Sequence, residues 1–231
     1  MQIVVPLANG DIVEIKSIAT TSQDKLGEFA LAGLELPSIS IKIQEPQLDD
    51  SHYDLLNSCD PLSFIRVAKE IAIIKATNAF CALGVATLVE DTGLYVFACP
   101  AQSGPNIKTW VKDQVGGTDA GLKKLIALVD AVGNRRALAV SCLAVSNGVS
   151  TMAWTATVEG EITPDLAGEQ GFGWDKLFRP LTATLHQLHN YLTWAEMSPV
   201  QKRTLTPFRS VVAAEMIASS VKRTDSCYVD P

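Results

Sequence analysis

The feature that most constrains this chain is a pair of long apolar runs, Ala137 to Ser146 and Thr151 to Val158, meeting at Asn147-Gly148. Asn-Gly accepts the positive φ of a tight turn, so the two runs are predicted to pair as an antiparallel hairpin. Upstream the pattern is different. Lys16 to Ala19 reads as a strand, Thr20 to Lys25 as a polar loop and Leu26 to Leu34 as a helix. Strands that first alternate with helices and then pair with each other imply a mixed sheet in one α/β domain of two lobes. The cleft between lobes is the default site.

The same reading places the other elements. Ile3 to Leu7 and Ile12 to Ile15 flank Ala8-Asn9-Gly10-Asp11, so residues 1–14 are read as an N-terminal hairpin extension, 15–222 as the domain and 223–231 as a tail. Ile39 to Ile43 is predicted as a short strand. Gln44 to Pro61 is polar, contains Pro and Asp, and reads as a long mobile loop holding His52. Helical spacing runs from Phe64 to Leu83 and stops at Gly84, and the strand Ala86 to Val89 is expected to end on Glu90 and Asp91. Pro100 to Gly104 reads as a loop and Leu122 to Val132 as a helix. Gly168 to Gly173 is a turn. Ser198-Pro199 with Gln201 is a capping box, and Thr206-Pro207 is read as the N-cap and first residue of a last helix.

Composition removes several function classes. Nineteen Lys and Arg against 25 Asp and Glu leave a net charge of −6 with no basic block, which argues against nucleic acid as a partner. The most apolar stretch, Ile71 to Val89, is interrupted by Lys75, Thr77, Asn78 and Thr87, so no membrane span is expected. The first six residues show no basic segment or small-residue cleavage site, and five widely spaced cysteines suit buried thiols under reducing conditions. A cytoplasmic location is the expectation.

Three segments carry candidate chemistry. Glu90-Asp91-Thr92-Gly93 puts two adjacent carboxylates at the expected end of a strand, where open α/β sheets place ligands, and two acids there favour a cation such as Mg²⁺. Read alone, the tetrapeptide fits a solvated strand end as well. Thr20 to Lys25 precedes a helix, whose free N–H groups attract phosphate, with Lys25 as countercharge; an ordinary capped helix is the alternative. Gly171-Phe172-Gly173-Trp174-Asp175 is a turn able to lay aromatic faces on a planar ligand, or a core-filling turn. His186 and His189 are three apart but have no further ligands near them for zinc.

Taken in order, these segments resemble the inosine triphosphate pyrophosphatase family from Ile15 to about Val212. Ala19 to Leu26 is similar to its Thr-Gly-Asn-x-x-Lys loop at Thr20 and Lys25, with Ser22 in the place of Asn; Glu45 and Gln47 resemble its Glu-x-Gln motif; Glu70 to Ala76 resembles its Glu-x-Ala-x-x-Lys-Ala helix. Glu90 to Leu94, Ser103 to Lys108, Gly171 to Asp175 and Thr193 to Ser198 with Lys202 follow in the family's order.

The resemblance implies an elongated mixed sheet with flanking helices in two lobes, an active cleft between them, and a homodimer. It implies Mg²⁺-dependent hydrolysis of noncanonical purine nucleoside triphosphates (ITP, dITP, XTP) to the monophosphate and pyrophosphate, Mn²⁺ being a substitute metal. Glu45, Glu90 and Asp91 are the implied metal ligands, and Asp91 and Lys25 the catalytic pair. Thr20, Ser22, Lys25, Lys75, Thr92, Lys108, Phe172, Trp174, Asp175, Lys202 and Arg209 are the implied substrate contacts. One segment departs from the pattern: where the family has Ser-His-Arg, this chain reads Thr206-Pro207-Phe208 and then Arg209. Base selection through Arg209 and the N–H groups at Thr206-Pro207 is the expectation, with a smaller preference for the 6-keto base. The alternatives are a catalytically weakened homologue that binds nucleotides or a protein, and a pyrophosphatase with relaxed or pyrimidine selectivity.

Overall fold

The computed structural model describes residues 3–20, 23–31, 33–41, 43, 46–171, 173–182, 191–206 and 208–220. Ser22, Glu45, Phe172, His186, His189, Pro207 and the 223–231 tail lie outside them. Strands β1 (Ile3–Pro6) and β2 (Ile12–Ile15) pair antiparallel as the predicted hairpin. It is not a loose appendage: Ile3, Val5, Leu7 and Ile15 are buried in the main core. Asn9 and Asp11 also bond to Ser150 and Asn147 at the turn of the central hairpin.

Strands β3 (Ile18–Ala19), β4 (Ser38–Ile39), β5 (Leu88–Val96), β6 (Arg136–Ser146), β7 (Thr151–Ile162) and β8 (Phe178–Pro180) form one sheet in the order β4-β3-β5-β6-β7-β8. The first three are parallel and the rest antiparallel, so the sheet is mixed. The β6–β7 hairpin forms as predicted and continues to Ile162. Nearly every residue of β6 is buried, because both of its faces are covered.

Helix α3 (Pro61–Leu83) covers one face against β5, β6 and β7. Its buried stripe begins with Phe64, Val67 and Ile71 and continues through Ala68, Ala72, Ala76 and Ala79, whose small side chains allow close approach to the sheet. Gly84, in the left-handed region, ends the helix as expected. On the opposite face α7 (Arg209–Ala218) packs on β6 and β7, with α1 (Gln23–Leu31) beside it. Helices α4 (Ile107–Lys112) and α5 (Gly117–Val132) pack on each other, and α6 (Pro199–Leu205) starts at the predicted Ser198–Gln201 capping box.

Four local expectations need correction. The segment 44–61 contains helix α2 (Asp50–Asn57), started by a reciprocal capping box between Asp49 and His52; His52 occupies a position where Glu or Gln usually signals such a box. Of the strand predicted over 39–43, only Ile39 pairs among the described residues, in the short strand Ser38–Ile39. Strand β5 does not stop at Val89 but runs through Glu90 and Asp91 to Val96, because β6 supplies a partner along the whole length and each acid finds a cation. Thr206 is not a helix N-cap: it is the C-cap of α6, and α7 begins at Arg209. Among the described residues no helix is long and apolar enough to cross a membrane, and of the four free thiols Cys99 and Cys142 are buried as expected, whereas Cys59 is half-buried and Cys81 is exposed.

Candidate active site

The site lies where the sheet loses a strand. Strand β3 pairs with β5 as far as Val89, and the next bridge on that side among the described residues is Leu94 to Gly104. Glu90 to Gly93 therefore line a gap in the sheet edge, reachable by side chains from both faces. Successive residues of a strand point to opposite faces, so Glu90 and Asp91 are separated although adjacent in sequence. Asp91 joins Lys75 on the α3 face, with Nζ 3.0 Å from Oδ1. Glu90 joins the α1 and α7 face.

Glu90 meets four partners. Its Oε1 accepts from Arg209 Nε at 2.7 Å, Ser141 Oγ at 2.9 Å and Thr92 Oγ1 at 2.5 Å, and its Oε2 lies 2.8 Å from Lys25 Nζ. Burial by itself would raise this carboxyl's pKa. The Arg209 guanidinium and then the Lys25 ammonium outweigh burial and hold it well below the usual carboxylate range. Arg209 also donates from Nη1 to Glu28 Oε2 at 2.5 Å and from Nη2 to Thr92 Oγ1 at 3.3 Å. Burial opposes its charge, but Glu90 and Glu28 raise its pKa further above the ordinary arginine value. Two cations and two anions thus close a neutral network that ties α1, β5 and α7 together.

Two residues are placed differently from what the resemblance implies. Glu90, expected as a metal ligand beside Asp91, sits on the other face with its carboxylate held by Arg209 and Lys25. Arg209, expected to read a base, commits its donors to Glu90, Glu28 and Thr92 and is 6% exposed. Nor does Thr206 offer a helix-start N–H: its backbone N–H goes to Lys202 O, and its hydroxyl accepts from Trp194 Nε1 at 3.0 Å and donates to Lys202 O at 2.9 Å.

A cleft of about 610 Å³ opens over the gap, its wall including Lys25, Lys75, Asp91, Thr92, Lys108 and Trp174. Asp175, Trp194 and Arg209 continue into an adjoining cavity of about 510 Å³ that Lys202, Thr206, Phe208 and Gly171 help to line. The first chamber is rich in ammonium groups, from Lys25, Lys75, Lys108 and Lys112; Trp194 lines both chambers, with Trp174 in the first and Phe208 in the second. Trp174 and Trp194 stack with ring centres 5.3 Å apart, and Trp194 packs on Phe208 at 5.2 Å. Lys202 Nζ meets Asp175 Oδ2 at 2.6 Å. Gly171 is required beside this pair: its φ is +79°, and a Cβ there would stand 2.1 Å from Asp175 Oδ2.

Of the expected contacts, Thr20 ends β3 with its N–H on Ile39 O and lines neither chamber, whereas Lys25, Lys75, Asp91, Thr92, Lys108, Trp174, Asp175, Lys202 and Arg209 converge. Glu28 and Ser141 were not singled out in the sequence. The three-residue spacing of Lys25 and Glu28 on one helix face was a usable signal for the first; a serine inside an apolar strand gave none. Among the described residues no three His, Cys, Asp or Glu side chains group as a preformed metal cage. Magnesium needs only one or two carboxylates plus waters and phosphates, and Asp91 on the cleft wall fits that demand.

The chain is similar to known proteins over most of its length. Residues 17–212 match the Ham1 family. The chain is similar to the dITP/XTP pyrophosphatase of Hyperthermus butylicus, 31% identical over 134 residues, which are 58% of this chain and 64% of that one. It is also similar to the inosine triphosphate pyrophosphatase of Kluyveromyces lactis, 29% identical over 163 residues, 68% of this chain and 78% of that one. In fold it is similar to the Ham1 protein of Staphylococcus aureus, with a TM-score of 0.62 and 21% identity over 89% of this chain and all of that one. A HAM1 protein from Coxiella burnetii gives a TM-score of 0.59 and 22% identity over 89% and 97% of the two chains. A match covering most of the chain, joined to this fold, places the protein in the Ham1 family.

Proposed function

We propose that this protein hydrolyses noncanonical purine nucleoside triphosphates, of the ITP, dITP and XTP type, to the monophosphate and pyrophosphate. The observation that carries the reading is the convergence of Lys25, Lys75 and Lys108 with Asp91, Trp174 and Trp194 around one cleft. Three ammonium groups oppose the roughly −4 charge of a triphosphate, and a low-dielectric cleft strengthens that attraction. Asp91 and, by resemblance, Glu45 would hold a Mg²⁺ ion, which neutralises phosphate charge when bound. Asp91 orients a water toward the α-phosphorus and takes its proton. Lys75, 3.0 Å from Asp91, holds that carboxylate in place on the cleft wall. Lys25 and Lys108 stabilise the departing pyrophosphate. The Trp174–Trp194 wall takes a face of the base, and the Lys202–Asp175 pair supplies polar contacts to the base or sugar.

A relaxed choice of base is favoured by a specific observation: Nε, Nη1 and Nη2 of Arg209 and the backbone N–H of Thr206, the groups expected to read a 6-keto oxygen, already donate to acceptors inside the protein. A site with fewer free donors at that atom rejects the amino form less strongly. The test is turnover over a panel of ITP, XTP, dITP, ATP, GTP and pyrimidine triphosphates, with phosphate detected after added inorganic pyrophosphatase. ITP and XTP are expected to lead by a modest factor. Equal inactivity toward every triphosphate would leave the alternative of a binding module.

A further inference from the structure

Asp91 and Tyr95 each keep a buried polar atom with no hydrogen-bond partner: Asp91 Oδ2 and the Tyr95 hydroxyl. Tyr95 is fully buried, and orphaned buried phenols are uncommon because each forfeits its hydration. The two residues lie on the same face of β5, with Gly93 between them. The Tyr95 ring leans over that glycine: a Cβ on Gly93 would stand 3.1 Å from Tyr95 Cε2, and one on Gly104 would stand 2.5 Å from Cε1. Phe64 stacks on the ring at 5.0 Å and fixes its plane. Larger side chains at 93 or 104 would push the ring away, so two glycines hold open the space it fills. Burial and, after it, the charge of Asp91 raise the phenol's pKa.

The two oxygens of Asp91 face different surroundings. Oδ1 meets Lys75, and Oδ2 is shut off from solvent. A carboxylate that works through one oxygen is held in register when its other oxygen is anchored from behind, and removing such a support typically costs tenfold to a hundredfold in activity. We propose that Tyr95 is a positioning residue for the reaction, its hydroxyl anchoring the inward oxygen of Asp91 through a hydrogen bond that a single water can complete. The inference rests on the hydrolase reading above, and it adds a residue that none of the sequence motifs contains.

Tyr95→Phe tests it, because the substitution keeps the ring, the Phe64 stack and the packing between the glycines. With ITP as substrate, kcat is expected to fall about tenfold while KM stays within twofold. Melting supplies a readout independent of activity: Tyr95→Phe is expected to lower Tm by about 2–4 °C in the wild-type background and to have no effect in the Asp91→Asn background, where the charged acceptor is gone. A purely structural phenol with an unmet hydroxyl predicts the reverse, a Tm that holds or rises on losing it. A kcat within twofold of wild type, or the same Tm change in both backgrounds, overturns the proposal. A wild-type protein inactive toward all triphosphates would instead overturn the hydrolase reading, leaving the melting comparison to decide the Tyr95–Asp91 link.

Discussion

Replacing Arg209 by Met asks whether the buried ion network holds the helices over the site. The substitution retains most of the side chain's length and apolar contact while removing the guanidinium, which leaves Glu90 with Lys25 as its one remaining cation and strands Glu28. Breaking a buried pair costs about 3–5 kcal/mol, and the lower end applies because Lys25 stays at 2.8 Å from Glu90 and Glu28 is partly exposed to water. For a chain of 231 residues, about 3 kcal/mol corresponds to a Tm lower by about 9 °C. The assay is thermal melting at pH 7 of wild type, Arg209→Met, Glu90→Gln and the double variant. Removing both members leaves less uncompensated charge than removing one, so the double variant should melt well above the value expected from adding the single losses. A single-variant loss under 3 °C, or strict additivity, would refute the network as a structural tie and return Arg209 to the base-reading role expected from sequence.

Glu90 has a folded pKa below its unfolded one, near 4.3, so its stabilising contribution is complete above about pH 5 and is lost as pH falls through the folded value. Melting between pH 7 and pH 3 should show a flat region and then a fall below about pH 4, and Glu90→Gln should make that fall shallower; parallel curves would contradict the assignment. Lys25→Ala should reduce both Tm and turnover, because Lys25 neutralises a buried carboxylate and also lines the cleft; a variant with wild-type Tm would show that the Glu90 contact adds nothing to the fold. Deleting residues 1–14 removes Ile3, Val5 and Leu7 from the core at about 1.5–3 kcal/mol each, so the shortened chain should melt more than 10 °C lower, and an unchanged Tm would make the hairpin dispensable.

Much of this architecture is legible in the sequence because it rests on local rules. Asn147-Gly148 announces the central hairpin, Gly84 the end of α3, and Ser198 with Gln201 the start of α6. The errors share a different origin. The strand seemed to end at Glu90 because acids rarely continue an apolar run, and only tertiary partners, Lys75 from one face and Lys25 with Arg209 from the other, make their burial affordable. Helix α2 was hidden by an aspartate-histidine capping box that lacks the usual Glu or Gln. The lysines of the cleft could be selected by resemblance, yet nothing local reveals that Arg209 would be bonded to Glu28 and Glu90, 181 and 119 residues away in sequence. Tyr95 carried no signal at all, since a tyrosine in a buried strand reads as core; its significance comes from an unpaired hydroxyl on the same face as Asp91.

The central claim is that Asp91 and the surrounding lysines cleave a nucleoside triphosphate between its α- and β-phosphates. The most direct measurement is chromatographic identification of the products from ITP with Mg²⁺, for wild type and for Asp91→Asn. The account predicts inosine monophosphate and pyrophosphate in equal amounts from wild type and a rate lower by about two orders of magnitude in a variant that melts as a folded protein. Release of inosine diphosphate and orthophosphate, or undiminished turnover by Asp91→Asn, would contradict it.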